Sequence, residues 1–172
     1  MPLNVSCATG DVLDPCGCDS DAVAVNIGAL PQCTVRCNDI DSELCAVTHA
    51  DATSSQYWDT TKHPDWIVGS PPYHYAAQIA RQAIKTAKVG VALKLRLTFL
   101  EPCVSRADIM LDSPPTQLIV LPRVTAYNKR KGVSSHDWVT EAWFIWLKES
   151  TAAGAIAAVS REELENFHDA PK

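Results

Sequence analysis

The stretch Asp65-Trp66-Ile67-Val68-Gly69-Ser70-Pro71-Pro72-Tyr73 places an apolar run directly before a polar residue, two prolines and an aromatic ring. The pattern predicts a short buried strand that ends in a stiff turn, because proline fixes φ and has no N–H. The Ser70 hydroxyl and the Pro71 carbonyl can accept hydrogen bonds from the two N–H groups of a planar amine. Tyr73 offers a ring on which a base can stack. A proline turn that follows a buried strand and serves no site is the alternative that this tetrapeptide leaves open.

The segment resembles motif IV of the S-adenosylmethionine-dependent amino-methyltransferases, whose members include adenine-N6 and cytosine-N4 DNA methyltransferases and the glutamine methyltransferases of release factors. In that family the motif begins with Asp, Asn or Ser, and Ser is met most often among the cytosine-N4 enzymes. The resemblance implies that Ser70, Pro71, Pro72 and Tyr73 form a catalytic corner. At such a corner a methyl group passes to an exocyclic amino group.

Strand-like and helix-like segments alternate along the chain, which predicts an α/β fold with a mostly parallel sheet flanked by helices. Helices are expected at 20–30 and 73–88, and a partly helical segment at 97–111. Together with the resemblance, this pattern predicts a Rossmann-like class I methyltransferase with a seven-stranded sheet. The expected strands are 11–14, 33–37, 46–50, 66–68, 89–95, 117–124 and 141–148.

Four polar residues follow the first four predicted strands, at the point where each strand ends: Asp14, Asp39, Asp51 and Ser70. Parallel sheets bind their ligands beyond the carboxyl ends of the strands. We therefore expect these four side chains to surround one cleft.

Three upstream segments resemble the cofactor motifs of the same family. Asp14-Pro15-Cys16-Gly17-Cys18-Asp19-Ser20 resembles motif I, which holds the methionine part of the cofactor, although Cys18 and Ser20 stand where the family has two glycines. Asn38-Asp39-Ile40 resembles motif II, and His49-Ala50-Asp51-Ala52 resembles motif III. The resemblance implies that S-adenosyl-L-methionine is the cofactor and that its site consists of Asp14, Pro15, Cys16, Gly17, Cys18, Asp39, Ile40, Asp51 and Ala52.

The resemblance also implies a role for each residue of motifs II and III. Asp39 would accept both ribose hydroxyls, and Ile40 would pack on adenine. Asp51 would accept from the adenine amino group, and Ala52 would offer its backbone N–H. An Asp that caps a turn remains an equal alternative for Asp39.

Length and composition fit one folded domain over residues 1–172. An apolar fraction of 47% supports a substantial core. The expected core spans about 11–149, and the tail 150–172 has weak helical character and no assigned role. There is no apolar stretch of bilayer length, and residues 1–10 lack a secretion signal, so we expect an intracellular protein, cytoplasmic or nuclear, without a membrane partner.

The net charge of −5 opposes non-specific attraction to nucleic acid over the whole molecule. Lys129, Arg130 and Lys131 form the only dense cationic run. This run is either a solvated loop or a contact to nucleic-acid phosphates.

Six of the seven cysteines fall in the first 45 residues, but their spacings do not match paired C-x-x-C ligands. Reduced thiols used as small apolar residues are the expected state, and no metal is expected.

Three functions remain open from the sequence. The first is methyl transfer from S-adenosylmethionine to an exocyclic amine of DNA, at cytosine N4 or adenine N6. The second is a catalytically degenerate subunit with the same fold, which the altered motif I favours. The third is methylation of RNA or of a protein glutamine, which the acidic net charge favours. Little of the chain is left for target recognition, so three alternatives stay open: the 125–137 loop supplies it, a partner subunit supplies it, or there is no sequence choice.

Overall fold

A large mixed sheet organises the protein. The computed structural model of the chain describes residues 10–17, 32–101, 103–122, 125–128, 133–136, 139–149 and 155–158. The strands in these ranges are β1 Gly10–Asp14, β2 Cys33–Cys37, β3 Trp66–Gly69, β4 Gly90–Arg96, β5 Gln117–Val120, β6 Thr125–Asn128, β7 Val133–His136, β8 Glu141–Leu147 and β9 Ala155–Ala158. Seven of them form one sheet in the order β2-β1-β3-β4-β8-β5-β9, while β6 pairs with β7 in a separate two-stranded sheet.

Most neighbours in the large sheet are parallel. β1 pairs in parallel with β2 and β3, and β3 pairs in parallel with β4. β8 is antiparallel to both β4 and β5, and β9 is parallel to β5. The predicted α/β fold class with a mostly parallel sheet is therefore confirmed. The carboxyl ends of β1 to β4, at Asp14, Cys37, Gly69 and Arg96, consequently lie along one edge of the sheet.

Three α-helices are described: α1 Ser55–Thr60, α2 Ala76–Thr86 and α3 Ala107–Asp112. α2 is the predicted helix 73–88, but it begins three residues later because Tyr75 N–H donates to Pro72 O at 2.9 Å and closes a turn first. It ends at Thr86 because Ala87 is extended, with ψ of 142°. The expected partly helical segment is two 3₁₀ turns, Leu97–Leu100 and Val104–Arg106, followed by α3.

The core lies mainly between one face of the sheet and the α-helices. Apolar residues recur along α2 at helical spacing, and the buried ones are Ala76, Ile79, Ala80 and Ala83. They belong to one cluster with side chains of the central strands, among them Leu13, Ile67, Val91, Leu93, Leu95 and Phe144. Val12 and Val68 are buried in a second, smaller cluster, against which Val35, Trp66, Ala92 and Trp143 pack.

The prediction of a strand at 46–50 was wrong. The structure has only one isolated parallel bridge there, between Asn38 and Thr48. Asn38 explains the difference, because its side-chain amide bonds both the N–H and the C=O of Ala50, at 3.0 and 2.9 Å. Those backbone groups would otherwise enter a strand ladder.

The tail also differs from expectation. Ala155–Ala158 forms β9, with Leu118 opposite Ile156 and Ile119 opposite Ala157. The weak helical character predicted for this segment was wrong at these four residues, because pairing with β5 outweighs the helix preference of alanine. The sheet thus reaches seven strands with β9 in place of the strand expected at 46–50.

The predicted helix 20–30 lies outside the described residues. Within the described ranges, no helix combines the length and the apolar character needed to cross a bilayer.

Candidate active site

A cleft of about 220 Å³ opens at the sheet edge where β1, β2 and β3 end. It brings together three loops that are far apart in the sequence, together with the start of α2. Its walls are Pro15, Cys16, Asp39, Ile40, Ala50, Asp51, Ala52, Thr53, Pro72, Tyr75 and Ile79.

The turn after β1 lies at the bottom of the cleft. Asp14 is 2% exposed, and its carboxylate accepts a hydrogen bond from Cys16 N–H at 3.1 Å. A Cβ on Gly17 would lie 2.4 Å from Asp14 Oδ2, and a Cβ on Gly69 would lie 2.5 Å from Oδ1. Only glycine fits at these two positions, because real Cβ atoms do not approach an oxygen so closely. Asp14 is therefore enclosed beneath the cleft and does not line it.

Burial changes the acidity of two groups in this turn. Loss of solvation, and to a smaller extent the charge of Asp39, raise the pKa of Asp14 to about 6, against the hydrogen bond from Cys16 N–H, which lowers it. Burial and the neighbouring carboxylates raise the pKa of the Cys16 thiol to about 12. Cys16 therefore remains a neutral thiol, unsuited to act as a nucleophile or metal ligand.

The raised pKa of Asp14 predicts an unusual dependence of stability on pH. The folded state favours protonated Asp14, so the stabilisation is complete below pH 3.8 and is lost as the pH rises through about 6. We expect the difference in unfolding free energy, wild type minus Asp14→Asn, to fall by about 3 kcal/mol from pH 3.5 to pH 7. Urea unfolding at both pH values measures it. Asp59→Asn, on the exposed surface of α1, is the control; equal pH profiles for wild type and Asp14→Asn would contradict the prediction.

Asn38 joins the strand-end loops beneath the cleft. It is fully buried, and its Nδ2 donates to Pro15 O at 3.0 Å and to Ala50 O at 2.9 Å. Its Oδ1 accepts from Thr48 Oγ1 at 2.8 Å and from Ala50 N–H at 3.0 Å. The two donor hydrogens and the two acceptor positions of the amide are all used. The loops after β1 and β2 are thereby fixed relative to the 48–50 segment.

Asp39 and Ile40 follow Asn38 and face the cleft. Asp39 Oδ1 accepts from Asp41 N–H at 2.9 Å, in the manner of a turn-capping aspartate. Within the described residues, no donor lies at hydrogen-bond distance from the other oxygen, Oδ2. Ile40 is 69% exposed, which is high for an isoleucine. An apolar side chain beside a carboxylate can take the base and the sugar of a nucleoside.

Asp51 lies across the cleft on the third loop. Its Oδ1 accepts from both the N–H and the hydroxyl of Thr53, at 2.8 and 2.7 Å. These hydrogen bonds lower the pKa of Asp51, so the carboxylate remains charged at neutral pH. Ala52 is buried, and its carbonyl accepts from Trp58 Nε1 at 2.8 Å, which fixes the loop to α1.

The proline corner borders the same cleft. Ser70 is exposed, Pro71 is buried, and Pro72 forms part of the cleft wall. No described residue donates a hydrogen bond to the Ser70 hydroxyl or to the Pro71 carbonyl. The exposed Ser70 hydroxyl can accept an N–H group from a ligand at the rim, whereas Pro71 is fully buried, so a ligand reaches its carbonyl only if the turn opens slightly.

Tyr73 leaves the corner and turns toward β4 and β8. Its hydroxyl donates to Glu141 Oε1, and the guanidinium carbon of Arg96 lies 3.9 Å from its ring centroid. Burial and the Glu141 contact raise the pKa of Tyr73 to about 12, so the phenol remains protonated.

No protein-family model and no curated protein sequence matches the chain. Solved structures do. A type I restriction-modification methyltransferase subunit from Streptococcus thermophilus gives a TM-score of 0.58 at 11% identity, over 98% of this chain and 49% of that one. A modification subunit of a putative type I restriction enzyme from Vibrio vulnificus gives 0.56 at 8% identity, over 93% and 48%. A putative class I S-adenosylmethionine-dependent methyltransferase from Listeria monocytogenes gives 0.54 at 12% identity, over 93% and 62%.

The fold is that of the class I methyltransferases. At these identities the likeness concerns the fold, and the chain spans about half the length of the two restriction-modification subunits.

In this methyltransferase fold, most residues predicted for the cofactor site come together. Six of them line the cleft: Pro15, Cys16, Asp39, Ile40, Asp51 and Ala52. Asp14 and Gly17 lie in the turn beside it, as described above. Cys18 lies outside the described residues, as do Lys129, Arg130 and Lys131.

Sequence reasoning missed several residues of the site. Asn38 stands in motif II without an expected role, and Tyr75, which lines the cleft, is not among the residues predicted for the site. Glu141 was expected only as the first residue of a strand, and Arg96 lies just beyond the expected strand 89–95. One signal could have revealed the last two, because charged residues rarely interrupt buried strands such as Gly90–Arg96 and Glu141–Leu147 without a partner.

Among the described residues, no three His, Cys, Asp or Glu side chains are grouped so that they could hold a metal ion. No disulfide joins the described cysteines, which are Cys16, Cys33, Cys37, Cys45 and Cys103.

Proposed function

We propose that this chain binds S-adenosyl-L-methionine and transfers its methyl group to an exocyclic amino group of DNA, at cytosine N4 or adenine N6. One juxtaposition supports the proposal above all others. The unpaired Ser70 hydroxyl and Pro71 carbonyl stand beside Pro72, which shares a cleft wall with Asp39 and Ile40. The cleft that we propose for the nucleoside thus adjoins two oxygens that would suit an amine.

The donors and acceptors in the cleft fit this cofactor. Asp39 Oδ2 can accept from the ribose hydroxyls, and the exposed face of Ile40 can pack on adenine. The charged Asp51 can accept from the adenine amino group. Tyr75, which is 53% exposed and lines the cleft, adds an aromatic surface for the same nucleoside.

When bound, the sulfonium supplies an electrophilic methyl carbon whose bond to sulfur breaks with the electron pair returning to sulfur. The protein's task is to prepare the amine. Ser70 and Pro71 accept its two N–H groups, which turns the nitrogen lone pair out of conjugation and toward the methyl carbon. The nitrogen–carbon bond would form as the carbon–sulfur bond breaks, and the surplus amine proton would leave to water.

DNA is the proposed acceptor because two of the structural neighbours are subunits of type I restriction-modification systems. Lys129, Arg130 and Lys131 are the proposed phosphate contacts. The chain has about half the length of those subunits, so we propose one methyltransferase-like domain that acts with a partner subunit for target recognition.

Labelled product identifies the acceptor. The protein is incubated with methyl-labelled S-adenosylmethionine and DNA, RNA or glutamine-containing peptides, and digests are analysed by mass spectrometry. N4-methylcytosine or N6-methyladenine from DNA is the expected result. Label only in RNA or in glutamine would replace DNA as the acceptor, and no label in any of them would end the enzymatic proposal.

A non-catalytic subunit is the second candidate, and Cys18 and Ser20 at the glycine positions of motif I favour it. Isothermal titration with S-adenosylmethionine separates the two. Binding with a micromolar dissociation constant supports the enzyme, whereas no heat at millimolar cofactor supports the subunit.

Asp39→Ala is expected to weaken S-adenosylmethionine binding by about 30-fold, because hydrogen bonds from two ribose hydroxyls to one carboxylate are lost. Isothermal titration of the variant measures the change. Asp59→Ala removes an exposed carboxylate on α1 and is the charge-matched control. Equal affinity in wild type and Asp39→Ala would place the ribose elsewhere.

A further inference from the structure

Two charged residues outside the family motifs contact Tyr73 on different sides. Glu141 Oε1 accepts the hydrogen bond from the Tyr73 hydroxyl at the far end of the ring. The Arg96 guanidinium covers one ring face, with its central carbon 3.9 Å from the centroid. The side chain is still 39% exposed, so part of its surface remains open to a ligand.

The sheet holds these two residues in place. Arg96 and Glu141 are directly opposite each other on β4 and β8, which are paired from Gly90 to Arg96. Lys94, two residues before Arg96 and on the same face of β4, lies with Nζ 3.1 Å from Glu141 Oε2. Both carboxylate oxygens of Glu141 therefore have partners, one of which is Tyr73.

The sheet does not need the contact to Tyr73. β4 and β8 are already joined by a long antiparallel ladder and by the Lys94–Glu141 ion pair. The hydrogen bond from the Tyr73 hydroxyl joins Glu141 at the start of β8 to the loop after β3, 68 positions earlier in the chain. This hydrogen bond restricts the two side-chain torsions of Tyr73 and so fixes the orientation of the ring.

We propose that Glu141 and Arg96 are positioning residues, which hold the Tyr73 ring in one orientation so that the acceptor stacks on the ring face opposite Arg96. The inference rests on the proposed function, because it concerns the acceptor side of the same site. A ring that is fixed before the acceptor arrives loses no rotamer freedom on binding. The covered face also limits the acceptor to a single direction of approach.

A double-mutant cycle on kcat tests the coupling. We expect Glu141→Ala and Tyr73→Phe each to lower kcat about tenfold, and the double variant to lose no more than either single variant, because one hydrogen bond is removed in all three. Glu141→Gln keeps an acceptor oxygen and should recover kcat to within about threefold of wild type. The dissociation constant for S-adenosylmethionine should not change. Glu43→Ala, an exposed carboxylate away from the site, is the control.

A second measurement needs no substrate. In protein labelled with 3-fluorotyrosine, the ¹⁹F signal absent from Tyr73→Phe belongs to Tyr73. That signal should shift in Glu141→Ala and in Arg96→Ala and stay in place in Glu43→Ala, because fluorine senses ring contacts. The positioning role would be overturned if the double variant lost kcat by the product of the two single factors. It would also be overturned if the Tyr73 signal did not shift in Glu141→Ala and Arg96→Ala. An absence of methyl transfer by the wild type, with the expected ¹⁹F shifts, would instead overturn the proposed function alone.

Discussion

Ser70→Ala is expected to lower kcat for methyl transfer about 100-fold while the affinity for S-adenosylmethionine changes less than about threefold. The hydroxyl is one of two acceptors proposed to orient the amine in the transition state, and loss of one such preorganised group has an effect of this size. Ser70 is not part of the cleft wall, so cofactor binding does not depend on it. Single-turnover kinetics and isothermal titration measure the two quantities.

Tyr73→Ala is also expected to lower kcat about 100-fold, because it removes the ring on which the acceptor is proposed to stack. Ser55→Ala is the matched control, because Ser55 is also exposed and begins α1 outside the cleft. Ser70→Ala should leave the free energy of unfolding within about 0.5 kcal/mol of wild type, since Ser70 is exposed. Tyr73→Ala also removes the contacts to Glu141 and Arg96, so its free energy of unfolding should fall by about 1 kcal/mol. If Ser70→Ala lost cofactor affinity and kept its kcat, the amine would be oriented by a different pocket.

Local pattern was sufficient for much of the fold. The apolar spacing of α2 and the alternating strand and helix segments lie within short windows, so the elements β1, β2, β3, β4 and α2 could be predicted to within a few residues. Parallel pairing then follows from the crossovers, and it brings Asp14, Asp39 and Ser70 to one edge. Asp51 reaches the same edge because the Asn38 amide holds Ala50 there.

Contacts between distant residues account for the differences. The segment 46–50 has a strand-like composition, but the Asn38 side chain takes the backbone bonds of Ala50. Ala155–Ala158 has a helix-like composition, but β5 offers an edge to pair with. β5 and β9 are far apart in the chain, and the bonds of Asn38 to Ala50 depend on a side-chain orientation that a pattern of residue types does not encode.

The acceptor side shows the same limit. Glu141 is 68 positions from Tyr73, and nothing near the proline corner in sequence indicates it. A role for the exposed Ser70 could be proposed from its motif, because the chemistry proposed for the corner is local. The orientation of the ring could not be assigned, because it depends on two strands that come later in the chain.

Asn38→Ala is expected to lower the free energy of unfolding by about 3–4 kcal/mol. Four hydrogen bonds of 2.8 to 3.0 Å converge on this amide, and the fully buried site leaves their partners without replacements. Thr48→Val removes only one of the four bonds at similar volume, so a loss of about 1 kcal/mol is expected from it. Urea unfolding followed by circular dichroism measures both variants.

Asn38 also sets the spacing of the cleft walls, so its loss should affect the cleft as well as the stability. Pro15 belongs to the turn after β1, Asn38 follows β2, and Ala50 precedes Asp51, so one side chain holds three walls of the cleft at fixed spacing. Without the amide those walls depend on backbone contacts such as Gly17 N–H to Asn38 O at 3.0 Å. Cofactor affinity should therefore fall in Asn38→Ala even at temperatures where the protein remains folded. If Asn38→Ala were as stable as Thr48→Val and bound S-adenosylmethionine with unchanged affinity, the prediction would be wrong. Water would then replace the hydrogen bonds of the amide without a net loss of stability.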